Sequence, residues 1–467
     1  MLLGNLLNTE YEIEINGIGF GGTCRRGDLY FCLHGGEKLL TDVAFARDNE
    51  AAAIVTEKPV KGVKIPQFAV ADVRRQFAES SAAFYGDPAD SMTMIGVTGT
   101  NGKTTTTHII KSILEADGHK TGLIGTNSVM IGKEKLPPTL TTPDPPELHR
   151  ILRLMLDAGV DTVVMEVSAH ALALKKTDGI VFSVSAFTNL TQDHLDFFGT
   201  MDEYKKAKLR LFMPEHTLTA VVNVDDETGV EISRNAAVPL VTYGCENPSD
   251  VFGIDYSAAA DGCRFVANVM DDIIAMHYCA PGRFNMSNVL CAAATAKVLG
   301  VSSAAIKRGV SDVKRVDGRF EIIRKNGKRV VIDYAHTPDG LGKILRAVRE
   351  ITRGRVIAVF GCGGDRDRGK RSAMGEIASE LSDFAVITSD NPRSEPPLDI
   401  IKQVESGFKT GNYMLMEDRR EGIRYALDMC GEDDTVVIAG KGHESTQETA
   451  GKKERFSDKE TVKELLK

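Results

Sequence analysis

Between Met94 and Ile110 the chain reads MIGVTGTNGKTTTTHII: an apolar strand, a turn carrying two glycines, then a helix-forming run. Gly99 and Gly102 leave backbone N–H groups free to face an anion, and the helix behind them turns its positive end to the same point. Lys103 is placed to neutralise the outer phosphates of a nucleotide, and the Thr104 hydroxyl to help hold Mg²⁺. The strict phosphate-loop spacing calls for glycine at position 97, where this chain has Val97, so the loop is a variant. Read only as a strand-to-helix turn without a ligand, it leaves Gly-Lys-Thr unexplained by packing.

Four other stretches carry reactive or charged groups. VVMEVSAH ends a strand in Glu166, an acid suited to a Mg²⁺ site or equally to solvent at a strand end. His194 stands between Asp193 and the nearby Asp196, which fits a metal-binding histidine or a satisfied turn residue alike. Tyr204, Lys208 and Leu211 share one helix face, so Lys208 points inward while Lys205 and Lys206 face water; a lone lysine is otherwise a surface residue. In the last third, strands end at Arg366, at the run Asp390, Asn391, Pro392, Arg393, and at Gly440 with Glu444 beyond it. Arginines for carboxylates beside acids for ammonium groups suit a zwitterionic ligand. The competing reading is surface ion pairing of little energetic weight.

Strands and helices must bring these groups together. Residues 1–90 have short alternating stretches such as YEIEI and GDLYFCL and a helix near Val73 to Tyr85, the pattern of a small α/β domain. From residue 91 apolar strands (MIGV, TVVMEV, VFSVSAF, TAVVNV) alternate with helices, which predicts a mostly parallel sheet with helical cover. CRFVANV and IIAMHYC predict an antiparallel edge ahead of a helix near Phe284. The alternation restarts after SDVKRVDGRFE, so a central domain of 91–315 and a Rossmann-like domain of 316–467 are expected. At that sheet's carboxyl edge, Arg366 and Arg393 should sit on neighbouring strands.

Composition narrows the function classes. The 467 residues are 42% hydrophobic and 26% charged with a net charge of -8, which supplies large cores and no broad nucleic-acid surface. The amino terminus lacks a basic segment followed by an apolar one, and no window holds roughly 18 uncharged apolar residues. A cytoplasmic protein, probing neither membrane nor nucleic acid, is expected. The eight cysteines are scattered without a CxxC pair and read as reduced thiols.

GTNGKTT, EVSAHAL, TNLTQDHLD followed by YKKAKLRLF, GRFN, DYAHTPD, GCGGDRDRGKR, DNPR and GKGHE occur in an order and spacing that resemble the Mur ligases, over about residues 91 to 450. The resemblance implies three domains, for a uridine nucleotide, for ATP and for an amino acid. It implies a ligase that phosphorylates a carboxylate to an acyl phosphate, which an amine then attacks. By the same resemblance Gly99, Thr100, Asn101, Gly102, Lys103, Thr104 and Thr105 bind ATP, with Asn285, Asn288, Arg319 and Asp333 closing the cleft. Thr104, Glu166 and His194 belong to Mg²⁺ sites, and Lys208 matches a lysine that CO₂ converts into a carbamate. His336 follows a strand and is expected near the same crevice or in a structural role.

For the carrier, UDP-N-acetylmuramoyl-L-alanyl-D-glutamate, the matching contacts are Thr141, Thr142, Ser168 and Lys176. Two departures lie here: Leu174 and Lys176 stand where the family usually has Gln and Arg, and Phe20-Gly21-Gly22 where it has Asp-Ser-Arg. For the amino acid they are Arg366, Asp390, Asn391, Pro392, Arg393, Gly440 and Glu444; the DNPR form is associated with meso-diaminopimelate, whose extra carboxylate an arginine would read. The expected form is a monomer acting on small molecules. A ligase for another amino acid such as L-lysine, one for another carrier, and a nucleotide-binding regulator without ligase chemistry are the other readings.

Overall fold

The computed structural model describes residues 1–259 and 261–467. The chain is α/β throughout and forms two compact units, Met1–Gly96 with His119–Ser185 and Arg210–Thr219, and Val97–Gly118 with Ala186–Leu209 and Ala220–Lys467.

The first unit begins with a parallel sheet of Gly17–Phe20, Asp28–Phe31, Ala53–Thr56 and Gln67–Ala69, in that order. Successive side chains leave a strand on opposite faces. Leu29, Phe31 and Val55 therefore pack with Phe77 on one side, while Tyr30, Cys32 and Ile54 pack with Val43 and Ala46 on the other. Helix Val73–Phe84 starts at Asp72, whose side chain accepts from the Arg75 N–H and satisfies a donor the helix leaves open. Further along, Thr121–Ile124 and Thr162–Glu166 run parallel, and a hairpin, Val129–Ile131 and Glu134–Leu136, adds antiparallel strands that the sequence pattern did not predict. The hairpin strands are three residues each, too short for period-2 alternation to register.

The second unit opens on the glycine turn and helix Lys103–Ala116. That helix packs on Arg283–Val298 and Ser303–Asp312, and at Gly309 any Cβ would overlap the backbone of Ile113, so the helices cross at glycine contact. Strands Val251–Ala259, Gly262–Val269 and Asp272–Tyr278 form the expected antiparallel edge. The carboxyl-terminal sheet has six strands, ordered Glu321–Lys325, Lys328–Asp333, Thr435–Ala439, Val356–Phe360, Phe384–Ile387 and Tyr413–Leu415. All neighbours but the first pair are parallel. Val330, Ile332, Ile357, Val359, Val386, Val436 and Ile438 are buried on it against Ile423, Leu427 and Val462. Strands read as continuous apolar runs because helices cover both faces. Their carboxyl ends, at Asp333, Phe360, Ile387 and Ala439, open toward one edge, where ligands bind in such sheets. Among the described residues, no helix is long and apolar enough to cross a membrane.

Candidate active site

The glycine turn owes its shape to two residues in backbone conformations that L side chains rarely adopt. Gly99 has φ 145° and a Cβ there would overlap the Thr188 hydroxyl; Gly102 has φ 91° and a Cβ there would lie 2.5 Å from Asn288 Oδ1. Lys103 Nζ donates to the carbonyls of Gly99 and Thr100, each at 2.9 Å, so its charge lies over its own loop. Thr100 Oγ1 accepts from the Thr191 N–H at 3.0 Å and contacts Tyr204 Oη at 3.1 Å. Asn101 Nδ2 reaches Asp339 Oδ2 at 2.9 Å, tying the turn to the helix Pro338–Glu350.

Of the nucleotide residues selected from sequence, Asn101, Gly102, Thr105, Asn285, Asn288, Arg319 and Asp333 line one cavity together with Tyr334 and Lys343. Arg319 Nη2 donates to Thr104 Oγ1 at 3.1 Å, and its guanidinium lies 4.6 Å from the Tyr334 ring centroid. Asp333 braces the turn, accepting from the N–H of Phe320 and of Ala335, each at 2.8 Å. Asn285 Nδ2 donates to the Pro281 carbonyl at 2.8 Å.

Lys208 is buried on helix Met201–Leu209, on the face it shares with Tyr204, and not at the surface where a lone lysine is usual. Its Nζ donates to the Gly99 carbonyl at 2.9 Å and lies 4.6 Å from the Tyr204 ring centroid. Burial, reinforced by the neighbouring Lys103 charge, holds its amine well below the usual lysine pKa. A lysine that gives up its proton easily is a nucleophilic amine, the form that reacts with CO₂. His194 sits at φ 57° at the start of helix Leu195–Phe198, part-exposed, with Nε2 3.5 Å from Asp193 Oδ2.

Asp193 emerges as a centre that sequence reading named only as a flank. It is buried, and besides His194 it meets His336 Nε2 at 3.3 Å and Lys370 Nζ at 3.4 Å. Burial opposes its charge, but His336, Lys370 and His194 outweigh that and hold the carboxyl far below its ordinary range. Two further contacts join the same loops: Gln192 Nε2 donates to Asp367 Oδ2 at 2.8 Å, and Arg366 Nη1 lies 3.8 Å from Asp196 Oδ2. His336 thus packs on the buried Asp193, beside Tyr334 and Ala335 of the cavity wall. Lys370 carried a signal, standing in GCGGDRDRGKR beside the glycines from which Arg366 was selected.

At the carboxyl edge of the six-stranded sheet, Arg366 and Arg393 flank Gly363, with Arg366 Cγ 3.7 Å and Arg393 Nη1 2.8 Å from where a Cβ would be. Arg393 has φ 53°, and its Nη1 donates to the Gly364 carbonyl at 2.7 Å. Asn391 Nδ2 donates to Glu444 Oε2 at 2.9 Å; Lys441, buried and missed from sequence, reaches Glu444 Oε2 at 2.9 Å and Asn391 Oδ1 at 3.1 Å. Burial would raise the Glu444 pKa, but Lys441 pulls it down on balance. Asp390 is buried against Gly440, and its Oδ2 has no hydrogen-bond partner among the described residues.

In the first unit Glu166 is fully buried, accepting from the N–H and the hydroxyl of Thr126 at 2.9 and 3.0 Å. Thr126, missed from sequence, also meets Thr141 Oγ1 at 3.0 Å. Thr142 Oγ1 donates to the Glu166 carbonyl at 2.9 Å and accepts from the Ser168 N–H at 3.0 Å, so Thr141, Thr142, Glu166 and Ser168 form one cluster. Ser168 also caps helix Ala169–Ala173. Lys176 pairs with Asp144 at 2.7 Å. The turn Phe20–Thr23 closes on itself, and the Tyr30 hydroxyl donates to the Gly21 carbonyl at 2.5 Å.

A phosphate-type turn on a parallel-rich sheet, a buried low-pKa lysine beside it and a polar strand-end site on a second sheet define a nucleotide-using α/β enzyme. Residues 97–296 match the Mur ligase middle domain, and residues 318–442 the Mur ligase, glutamate ligase domain. A UDP-N-acetylmuramoyl-L-alanyl-D-glutamate--2,6-diaminopimelate ligase of Clostridium tetani (strain Massachusetts / E88) is 40% identical over 474 residues, covering 99% of this chain and 97% of the relative. A solved structure of a ligase of that name superposes with a TM-score of 0.70 at 30% identity, over 100% of this chain and 98% of the other. Folylpolyglutamate synthase of Mycobacterium tuberculosis, solved with ADP and AMPPCP, shares the fold with a TM-score of 0.67 at 18% identity, over 78% and 91%. The chain belongs to the Mur ligase family and is a ligase.

Proposed function

We propose that this enzyme joins meso-diaminopimelate to UDP-N-acetylmuramoyl-L-alanyl-D-glutamate at the expense of ATP, a step of peptidoglycan synthesis. The carrier carboxylate takes the γ-phosphoryl group to become an acyl phosphate; the incoming amine attacks its carbonyl carbon, the C–O bond to phosphate breaks, and an amide, ADP and phosphate result. Lys103 and the backbone of Gly99, Thr100, Asn101 and Gly102 cradle the phosphates, with Thr105, Asn285, Asn288, Arg319 and Asp333 around the nucleoside. Bound Mg²⁺ would neutralise phosphate charge as it develops. Thr104, His194 and Lys208 as its carbamate would supply oxygen and nitrogen ligands; the depressed Lys208 amine fits that modification. Glu166, at a strand end in the first unit, is assigned a metal-binding role as well, and Thr141, Thr142, Ser168 and Lys176 the carrier.

In this reading residues 1–90, 91–315 and 316–467 are the carrier, ATP and amino-acid domains of a cytoplasmic monomer. The observation that carries it is the contact of the loop Thr191–Asp196 with Arg366, Asp367 and Lys370, which sets the phosphate-handling groups beside the amino-acid groups within one unit. Arg366, Asp390, Asn391, Pro392, Arg393, Gly440 and Glu444 then receive an amino acid, its ammonium on the acids and its distal carboxylate on Arg393. Phosphate release from ATP with UDP-N-acetylmuramoyl-L-alanyl-D-glutamate and meso-diaminopimelate, L-lysine or other amino acids, with product mass as readout, tests it. Preference for lysine would sink the specificity. Silence with every amino acid from folded, ATP-binding protein would favour a ligase for another carrier or a regulator.

A further inference from the structure

Arg419, the first residue of helix Arg419–Met429, is wholly buried in the carboxyl-terminal sheet, and no part of the reaction scheme uses it. Asp458, also wholly buried at the start of helix Asp458–Leu465, takes its Nε and Nη2 at 2.8 Å each. Enclosing an ion pair this completely brings little stability by itself, because desolvation cancels much of the attraction. The remaining donors show where its geometry is used. Nη1 donates to the Ser389 carbonyl at 3.2 Å and Nη2 to the Ala439 carbonyl at 3.0 Å. Those peptides lead directly into Asp390 and Gly440, the two strand ends assigned to the amino acid.

We infer that Arg419, held by Asp458, is a positioning residue that fixes the separation of the Ser389–Asn391 and Ala439–Lys441 strand ends and thereby sets the affinity for the amino-acid substrate. This rests on the amino-acid site proposed above. A planar guanidinium with rigidly spaced donors spans two carbonyls and one carboxylate at once, which a lysine cannot do. The strands ending in these peptides, Phe384–Ile387 and Thr435–Ala439, are not neighbours; Val356–Phe360 lies between them. No ladder hydrogen bond therefore couples their ends directly; Arg419 joins their main-chain carbonyls, beside the side-chain contact of Lys441 with Asn391. Asp390 Oδ2 lies 2.5 Å from where a Gly440 Cβ would stand, so a small spreading of the two ends changes the carboxylate's surroundings. The Arg419 charge also faces the Asp390 and Glu444 carboxylates.

Steady-state kinetics of the full chain, varying each substrate in turn, test this through Arg419→Lys and the double variant Arg419→Met/Asp458→Met, which removes both buried charges together. The expected result in either folded variant is a rise of about tenfold or more in KM for the amino acid, with KM for ATP and for the carrier within about twofold of wild type. An unchanged KM for the amino acid, or an equal rise in all three, overturns the inference. If only the double variant gives a cooperative melt, the KM pattern is read there; if neither folds, the pair serves the domain as a whole and the inference falls. Wild-type protein is assayed first: turnover with a different amino acid corrects the functional reading, and the KM pattern is then taken for that amino acid.

Discussion

Lys208 shows how burial changes what a side chain does. Surrounded by protein and close to Lys103, it holds its proton less tightly than a surface lysine does, which is the direction the proposed reaction with CO₂ needs. Replacing Lys208 with Ala should lower turnover by about a thousandfold, with part of it restored by a short carboxylate such as acetate; full activity in the variant would refute the carbamate. In wild type, ¹³C NMR after exposure to labelled bicarbonate should show a carbamate signal that Lys208→Ala lacks. Arg393 is the residue expected to separate diaminopimelate from lysine. Arg393→Ala should cut kcat/KM for diaminopimelate roughly a hundredfold, ~2.8 kcal/mol for a lost charged contact. The value for lysine should change far less; equal losses for both would detach Arg393 from selectivity. Arg393 was named in the sequence by its motif, and Lys208 by the family resemblance, since its helix face alone left the surface reading open. Asp193, Lys370 and Lys441 were less so, because Asp193 and Lys370 meet across 177 residues and Lys441 meets Asn391 across 50.

At the scale of elements, helix Pro145–Asp157 carries an imidazole in an apolar setting. His149 is buried with neither ring nitrogen hydrogen-bonded among the described residues, and burial lowers its pKa from 6.5 to about 4. Above pH 6.5 it is neutral in both folded and unfolded chains and adds no pH dependence. Between pH 6.5 and about 4 the unfolded chain binds a proton that the folded one refuses, so stability falls as pH falls. The loss approaches ~3 kcal/mol at the lower end. Urea midpoints measured across that window should decline less steeply for His149→Leu than for wild type; parallel slopes would show that another group governs acid unfolding. The helix begins at Pro145, where a first turn tolerates proline. The hairpin Val129–Leu136 was not, its strands being too brief for a pattern.

At the scale of the molecule, the nucleotide cavity is assembled from chain segments more than two hundred residues apart, the glycine turn and the stretch Arg319 to Lys343. A ligand seated there binds only the folded state and stabilises it, by ~2.7 kcal/mol at a hundred times Kd. Mg-ATP should therefore raise the thermal midpoint and slow amide exchange around residues 99–105, 285–288 and 319–335 together. Lys103→Ala should lose both effects. Protection confined to the glycine turn would separate Arg319 and Asp333 from nucleotide binding.

The sequence by itself determined the main strand–helix alternation, the phosphate-type turn and the family, because these depend on local periodicity, on glycines needed for positive φ, and on motifs read in line. Tertiary structure decided what the charges are for. It buried Lys208 beside the Gly99 carbonyl, gathered His194, His336 and Lys370 on Asp193, and set Arg419 across two strand ends. Burial and electrostatic partnership depend on distances in space, and a chain that returns to the same sheet edge four times brings together residues that no spacing in the sequence reveals.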